Sequence, residues 1–396
     1  MPLRVGPVPV FLVYAACAFA SGFALRLVDP IVLPVAAHFA VTPAAAAMLN
    51  TAYALPYALA QPFLGPIGDR FGKQRCIQFC IAGLALMLAA GAFPTSFAFL
   101  LATRVCAGIF AGGLIPLVIA GMGDTYAMSE RQVMLGRMLF AIISGQMLGS
   151  LVSGFANVAF GWHSALIIAS GVGLLAAIVA WTVMPAGAAR HDAAPPASFA
   201  ALYGRVFANP KAPWLYGAVL LEGALFYGLF PFMSELLVAT TARGSNAISI
   251  ETGVVLGAFG IGGLLYAASV RRLLRLLGVR RMCLIGSAGA AACYAALAAS
   301  PLWWLDAAAM FCAGVTFYMV HNSLQTEATE LAPAARGSAV ALFACGFFAG
   351  QGLGPLLFGA LLHTVGPQLA LIAVAATIVG LGRVVVARVI DRPGAA

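Results

Sequence analysis

Twelve apolar runs, each near the length that crosses a bilayer, divide this chain of 396 residues. They cover about 9–37, 44–64, 76–93, 97–122, 133–157, 164–184, 214–238, 250–270, 283–300, 303–326, 337–361 and 367–387. A transmembrane helix takes about 20 mostly apolar residues. In lipid every backbone N–H and C=O must bond within the protein, which leaves helices and closed barrels, and runs this long argue for helices. The apolar content of 63% and mean hydropathy of +1.01 stand far above the roughly 45–50% of soluble chains. The sequence therefore predicts an all-α integral membrane protein with twelve transmembrane helices. The first run is too long for a cleaved signal and lacks a basic leader, so it reads as the first span.

The net charge of +9 resembles a nucleic-acid signal until the charges are placed. Of 21 Lys and Arg, all but three fall on one side if the N-terminus is cytoplasmic. They are Arg4, Arg70, Lys73, Arg75, Arg131, Arg137, Arg190, Arg205, Lys211, Arg271, Arg272, Arg275, Arg280, Arg281, Arg336, Arg383, Arg388 and Arg392. Arg243 sits in an opposite-side loop, and Arg26 and Arg104 lie inside spans. Positive charge collects on the cytoplasmic side of membrane proteins, so both termini are expected there and no nucleic-acid partner is implied. The eight cysteines lie in or at the ends of apolar runs. Cys76 and Cys80 form the closest pair, but no histidine or second pair completes a metal site, and no cofactor is expected.

The longest polar interval, 185–213, contains P-A-G-A-A-R-H-D-A-A-P-P and separates six spans from six. It predicts a bundle over 1–186, a cytoplasmic linker over 187–213 holding a short surface helix at 199–211, and a second bundle over 214–396. The halves repeat. Gly145, Gln146, Leu148, Gly149, Leu151 and Gly154 recur at Gly350, Gln351, Leu353, Gly354, Leu356 and Gly359, an offset of 205; Gly72 and Arg75 recur at Gly278 and Arg281, an offset of 206. Within lipid, small residues let helix backbones pack closely, so Gly145, Gly149 and Ser153 form one packing ridge and Gly350 and Gly354 another.

Between spans 2 and 3 stands G-P-I-G-D-R-F-G-K-Q-R, Gly65 to Arg75. It reads as a tight charged turn in which Gly68 and Gly72 allow positive φ. The pattern G-x-x-x-D-R-x-G-[RK]-x-[RK] closely resembles the loop between helices 2 and 3 of the major facilitator superfamily. The resemblance extends over essentially the whole chain and implies two pseudo-symmetric six-helix bundles with a binding site between them near the midplane. It further implies a cytoplasmic gate of Gly65, Asp69, Arg70, Gly72, Lys73 and Asp124. In that gate Asp69 docks at the N-terminus of helix 11 and Lys73 reaches Asp124. Arg104, in R-V-C-A-G-I-F-A-G-G, resembles the family's arginine motif linked to proton coupling. Residues 145–154 resemble the glycine motif of drug/proton antiporters, with Ser150 in place of its proline and Ser153 in place of a glycine.

A charge at the centre of a membrane helix costs about 2.5–3.5 kcal/mol on insertion scales, so each one demands a reason. Arg26 and Asp29 share a face of span 1, either as a self-neutralising pair or as a gate or proton site. Arg104 is expected to point inward along a small-residue face with Gly108 and Gly112. Glu222 has no cation near it in sequence, and histidine is the side-chain type suited to exchanging protons near neutral pH; Glu222 and His321 are the leading proton carriers, with Asp29, Arg104 and Arg26 as the remaining coupling candidates. Span 2 carries Asn50, Tyr53, Tyr57 and Gln61. Span 10 carries Tyr318, His321 or Asn322, and Gln325 in one stripe. With Gln146, Gln351, Phe226 and Tyr227 these form the candidate substrate cavity. Mixed aromatic and amide groups suit a partly apolar organic solute better than a bare metal ion or phosphate. His38, His163 and His363 read as solvated outer residues and His191 as part of the linker.

The expectation is a proton-coupled secondary transporter of a bacterial inner membrane. It is not an enzyme, it acts as a monomer, and it exports a small organic compound by alternating access. Proton-coupled uptake of a metabolite is the alternative within that class, and a transport-inactive sensor or receptor the alternative outside it. The topology predicts that Pro195→Cys is protected from an impermeant thiol reagent in intact cells and Ala242→Cys is labelled. Labelling of Pro195→Cys from outside would reverse the orientation.

Overall fold

The structure, a computed structural model, describes residues 7–126, 128–184, 199–241, 245–332 and 335–390; a few side chains inside the helices, among them Pro66, Asp69, Arg131 and Arg336, lie outside the description. The elements are α1 (Pro7–Arg26), α2 (Val32–Phe39), α3 (Pro43–Phe71), α4 (Lys73–Gly91), α5 (Phe97–Thr125), α6 (Met128–Phe160), α7 (His163–Val183), α8 (Phe199–Phe207), α9 (Ala212–Tyr227), α10 (Met233–Thr241), α11 (Ser245–Ala299), α12 (Trp303–Glu330), α13 (Arg336–Val365) and α14 (Pro367–Arg388). No strand occurs among the described residues. Ten described segments are long and apolar enough to cross a membrane, of which Ala247–Ala299 is 53 residues and holds two spans. With α3 the spans number twelve, and the chain is an all-α integral membrane protein.

The chain divides into two compact units, Met1–Pro196 and Ala197–Ala396. The linker helix α8 belongs to the second. Its exit is fixed where Asn209 Nδ2 donates to the carbonyl of Leu331 at 2.8 Å. Helix starts follow local chemistry. Thr42 Oγ1 accepts from the amide of Ala45 before Pro43, and Ser96 Oγ accepts from the amide of Phe99, each at 3.1 Å, as N-caps do.

Span 1 is not the continuous helix that its apolar run predicts. It breaks into α1, a 3₁₀ turn at Asp29–Ile31, and α2. Pro30 has no N–H, so the carbonyl of Arg26 loses its helical donor. The amide of Ile31 turns to Val28 at 3.0 Å, which leaves the carbonyl of Leu27. Both are recovered from α6, where Ser150 Oγ donates to Arg26 O at 3.3 Å and Ser153 Oγ donates to Leu27 O. These are the two serines that depart from the antiporter pattern. Span 7 breaks in the corresponding place, with a 3₁₀ turn at Phe230–Phe232 around Pro231.

The glycine ridges meet the partner helix at its backbone. A side chain on Gly145 or Gly149 would collide with the carbonyls of Phe19 and Phe23 on α1; one on Gly350 or Gly354 would collide with those of Leu220 and Ala224 on α9. A second crossing repeats in the same way. Gly108 and Gly112 of α5 face the carbonyls of Tyr53 and Tyr57 on α3, and Gly314 of α12 faces that of Phe259 on α11. Each unit therefore holds two helix pairs close enough to exclude a Cβ, the packing that replaces hydrophobic drive in lipid.

The turn after span 2 is shorter than its polar sequence predicts. Helix α3 continues through Gly68 to Phe71, and Gly72 alone takes positive φ, at 93°. Polar residues there extend the helix beyond the apolar zone, where charge carries no penalty. Gly68 is needed for space, since a Cβ would strike Leu117. Gly278, the repeat of Gly72, has φ 66° and divides α11 into spans 8 and 9. Replacing both serines, Ser150→Ala with Ser153→Ala, leaves two orphan carbonyls in the bilayer. It is expected to remove about 1–3 kcal/mol of stability, read as a lower thermal midpoint of the purified protein in detergent.

Candidate functional site

Each unit buries one cluster of ionisable groups. In the first, the break at Asp29 and the close α3–α5 crossing bring residues of three helices together. Arg104 is fully buried; its Nη1 donates to the carbonyl of Ala24 at 3.2 Å and its Nε to that of Leu49 at 3.4 Å. Its guanidinium lies over the Tyr53 ring, 4.2 Å from the centroid, in cation–π geometry. The bond to Ala24 holds α1 to α5 one turn before the break. Arg104 Nη2 has no hydrogen-bond partner among the described residues.

Asp29 is completely buried, 3.7 Å from Arg26 Nη1, and lies in the fields of both Arg26 and Arg104. Among the described residues, neither of its carboxylate oxygens has a donor within hydrogen-bond distance. Two guanidinium groups and one carboxyl group therefore share this cluster. Tyr53 and Tyr57 stack at 6.0 Å, and Tyr53 Oη donates to the carbonyl of Ser21 at 3.4 Å. Asn50 and Gln61 are buried, and among the described residues neither Asn50 amide atom nor Gln61 Nε2 has a hydrogen-bond partner. Gln146 is half-buried on α6.

In the second unit, His321 of α12 and Glu222 of α9 meet with Nδ1 and Oε2 2.9 Å apart. Glu222 is completely buried, and its Oε1 has no hydrogen-bond partner among the described residues. The surroundings are aromatic. Phe317 stacks on the imidazole at 5.1 Å, Phe347 lies 4.5 Å away and Phe343 5.3 Å away. Phe226 and Tyr227 reach Phe317 at 4.9 and 5.5 Å.

The span 10 stripe divides. His321 turns to Glu222, whereas Asn322 Nδ2 donates to Tyr266 Oη at 3.0 Å and Tyr318 stacks on Tyr266 at 6.1 Å. Gln325 is half-buried and Gln351 buried. At the turn after span 2, Lys73 Nζ donates to Asp124 Oδ2 at 2.8 Å. Arg70 is exposed, with its guanidinium 5.4 Å from the Phe71 ring centroid. The side chain of Asp69 and the surroundings of Gly65 lie outside the described residues.

The Major Facilitator Superfamily profile matches residues 14–355. The chain belongs to this superfamily. The uncharacterized MFS-type transporter YceJ of Bacillus subtilis is 26% identical over 341 residues, covering 86% of each chain. A triacylglyceride transporter of Mycobacteroides abscessus is 30% identical over 143 residues, covering 36% of this chain and only 27% of its own length. The crystal structure of the nucleoside transporter NupG superposes with TM-score 0.76 at 16% identity, covering 99% of this chain and all of that one; at that identity the likeness shows the fold. The chain is an MFS transporter, with its helices spanning the membrane.

Sequence reasoning missed Tyr266, the partner of Asn322, and the wall of Phe317, Phe343 and Phe347. The phenylalanines occupy spans whose apolar composition hides them. Only their recurrence at four-residue steps, Phe343 and Phe347 on one face, singles them out. Arg104→Lys keeps the charge but has no planar fork for two carbonyls and no flat face for Tyr53. The substitution is expected to cost about 2 kcal/mol or more, read as a lower thermal midpoint together with reduced transport; a wild-type midpoint would show that the guanidinium geometry is dispensable.

Proposed function

We propose that this transporter couples the export of a small, partly apolar organic compound to proton entry, with Glu222 and His321 as the proton-carrying pair. The contact between them carries the reading. A carboxylate and an imidazole lie in hydrogen-bond reach, walled by phenylalanine, and a single proton changes their net charge. The cluster of Arg26, Asp29 and Arg104 is the rival site, in which Asp29 could carry the proton while the arginines stay charged and act electrostatically. Asn50, with two buried amide atoms unpaired, supports a solute-facing position in span 2, since such groups normally find partners.

Export rather than uptake rests on the glycines of α6, most of which match the antiporter pattern. A partly apolar solute fits the aromatic and amide lining, and the partial relative named for triacylglyceride transport agrees with that class. In this reading transport proceeds by alternating access, and Lys73 with Asp124 braces the cytoplasmic side, in an inner membrane with both termini inside.

The test is transport by proteoliposomes with an imposed pH gradient against a panel of lipophilic organic compounds. Glu222→Gln should abolish gradient-driven accumulation while leaving downhill exchange measurable, and His321→Ala should move the pH optimum more than it lowers the maximum rate. If Glu222→Gln accumulates substrate like the wild type and Asp29→Asn does not, the carrier lies in the first unit and the assignment is wrong.

A further inference from the structure

The sequence leaves His38 and His163 as separate solvated residues, and the structure brings them together. His38 ends the last turn of α2 and His163 opens α7. Their ring centroids lie 5.3 Å apart with the planes at 85°. Successive spans alternate in direction, so this junction sits at the end of the first unit opposite the Gly72 turn. The surrounding rings fix it. Trp162 stacks on His163 at 3.8 Å and meets His38 edge-on at 5.3 Å. Phe39 packs against both Trp162, at 6.0 Å, and Phe97, at 5.7 Å. His38 is exposed and His163 half-buried. Among the described residues neither imidazole has a hydrogen-bond or carboxylate partner, so their ring nitrogens are available.

We propose that His38 and His163 form a two-histidine site for a borderline divalent cation of the Cu²⁺, Ni²⁺ or Zn²⁺ class. A cation held tetrahedrally, about 2.0–2.1 Å from one nitrogen of each ring, places the ring centroids about 5 Å apart, close to the separation found. Imidazole selects these metals over Mg²⁺ and Ca²⁺, which take oxygen. No group of three or more His, Cys, Asp or Glu that could hold a metal occurs among the described residues, so water fills the rest of the shell. Such a site is exchangeable rather than structural. The packing of Phe39, Phe97 and Trp162 holds the ends of α2 and α7 in place before the cation arrives, and this preorganisation favours binding by only two protein ligands.

Trp162 supplies the readout, because a paramagnetic ion bound at His163 quenches the indole stacked on it. The experiment titrates Ni²⁺ or Cu²⁺ into the full-length, tag-free protein in detergent and follows tryptophan emission. Saturable quenching is expected, reversed by EDTA, displaced by Zn²⁺ and absent with Mg²⁺. His38→Gln and His163→Gln should each weaken it by about tenfold or more, at least the loss that follows removal of even an outer-shell partner. His363→Gln should leave it unchanged. Trp162→Phe should abolish the quenching yet retain Ni²⁺ binding measured by equilibrium dialysis. If His38→Gln and His163→Gln bind Ni²⁺ like the wild type in dialysis, the two rings are aromatic packing only and the site does not exist.

Discussion

The satisfaction of backbone polar groups inside the protein is the constraint on which this structure depends. Lipid offers no hydrogen bonds, so any departure from regular helix must be answered by a neighbouring segment. The break between α1 and α2 shows how closely fold and site are tied to that requirement. Pro30 and the 3₁₀ turn release two carbonyls, Ser150 and Ser153 recover them, and Asp29 is thereby held at a point where a straight helix would have carried it elsewhere. The serines can reach only because Gly145 and Gly149 bring α6 against the α1 backbone. A packing device and a hydrogen-bonding device thus occupy successive turns of one helix face.

The two units solve the same problem with different chemistry. Pro231 breaks span 7 where Pro30 breaks span 1, and glycines seat α13 on α9 as they seat α6 on α1. At the positions repeating Ser150 and Ser153, however, the second unit has Pro355 and Phe358. Hydroxyls give way to an apolar surface, with Phe358 packed on Phe232 at 5.7 Å. The ionisable groups differ as well. The first unit gathers Arg26, Asp29 and Arg104, and the second pairs Glu222 with His321. A shared scaffold therefore carries a different set of ionisable groups in each half.

Much of this was legible in the residues. Apolar run length gives the twelve spans, and the recurrence of Gly145 and Gly149 at Gly350 and Gly354 gives the internal repeat. The small face beside Arg104 gives its inward direction. What periodicity could not give was pairing across long separations. Glu222 and His321 stand on different helices, and nothing local to either announces the other. His38 and His163 look like surface residues because each adjoins a loop, and only the meeting of two loops makes them neighbours. The breaks in spans 1 and 7 were hidden for another reason: each apolar run continues past its break, with Asp29 the one charge across Val28–Val32 and none across Phe230–Met233, so run length marked neither turn. The proline alone was visible, and a proline inside an apolar run marks a bend without fixing its geometry.

The connections impose a mechanical order on the molecule. Gly72 is the single residue between α3 and α4, Gly278 divides spans 8 and 9, and Gly366 alone separates α13 from α14. Consecutive Cα atoms are only about 3.8 Å apart, so each of these helix pairs is pinned at one end and can pivot there but not slide apart. The interval between α7 and α9 is far longer. Spans 2 with 3, 8 with 9 and 11 with 12 therefore have few independent degrees of freedom. Relative motion within each of these pairs is confined to pivoting about its glycine joint.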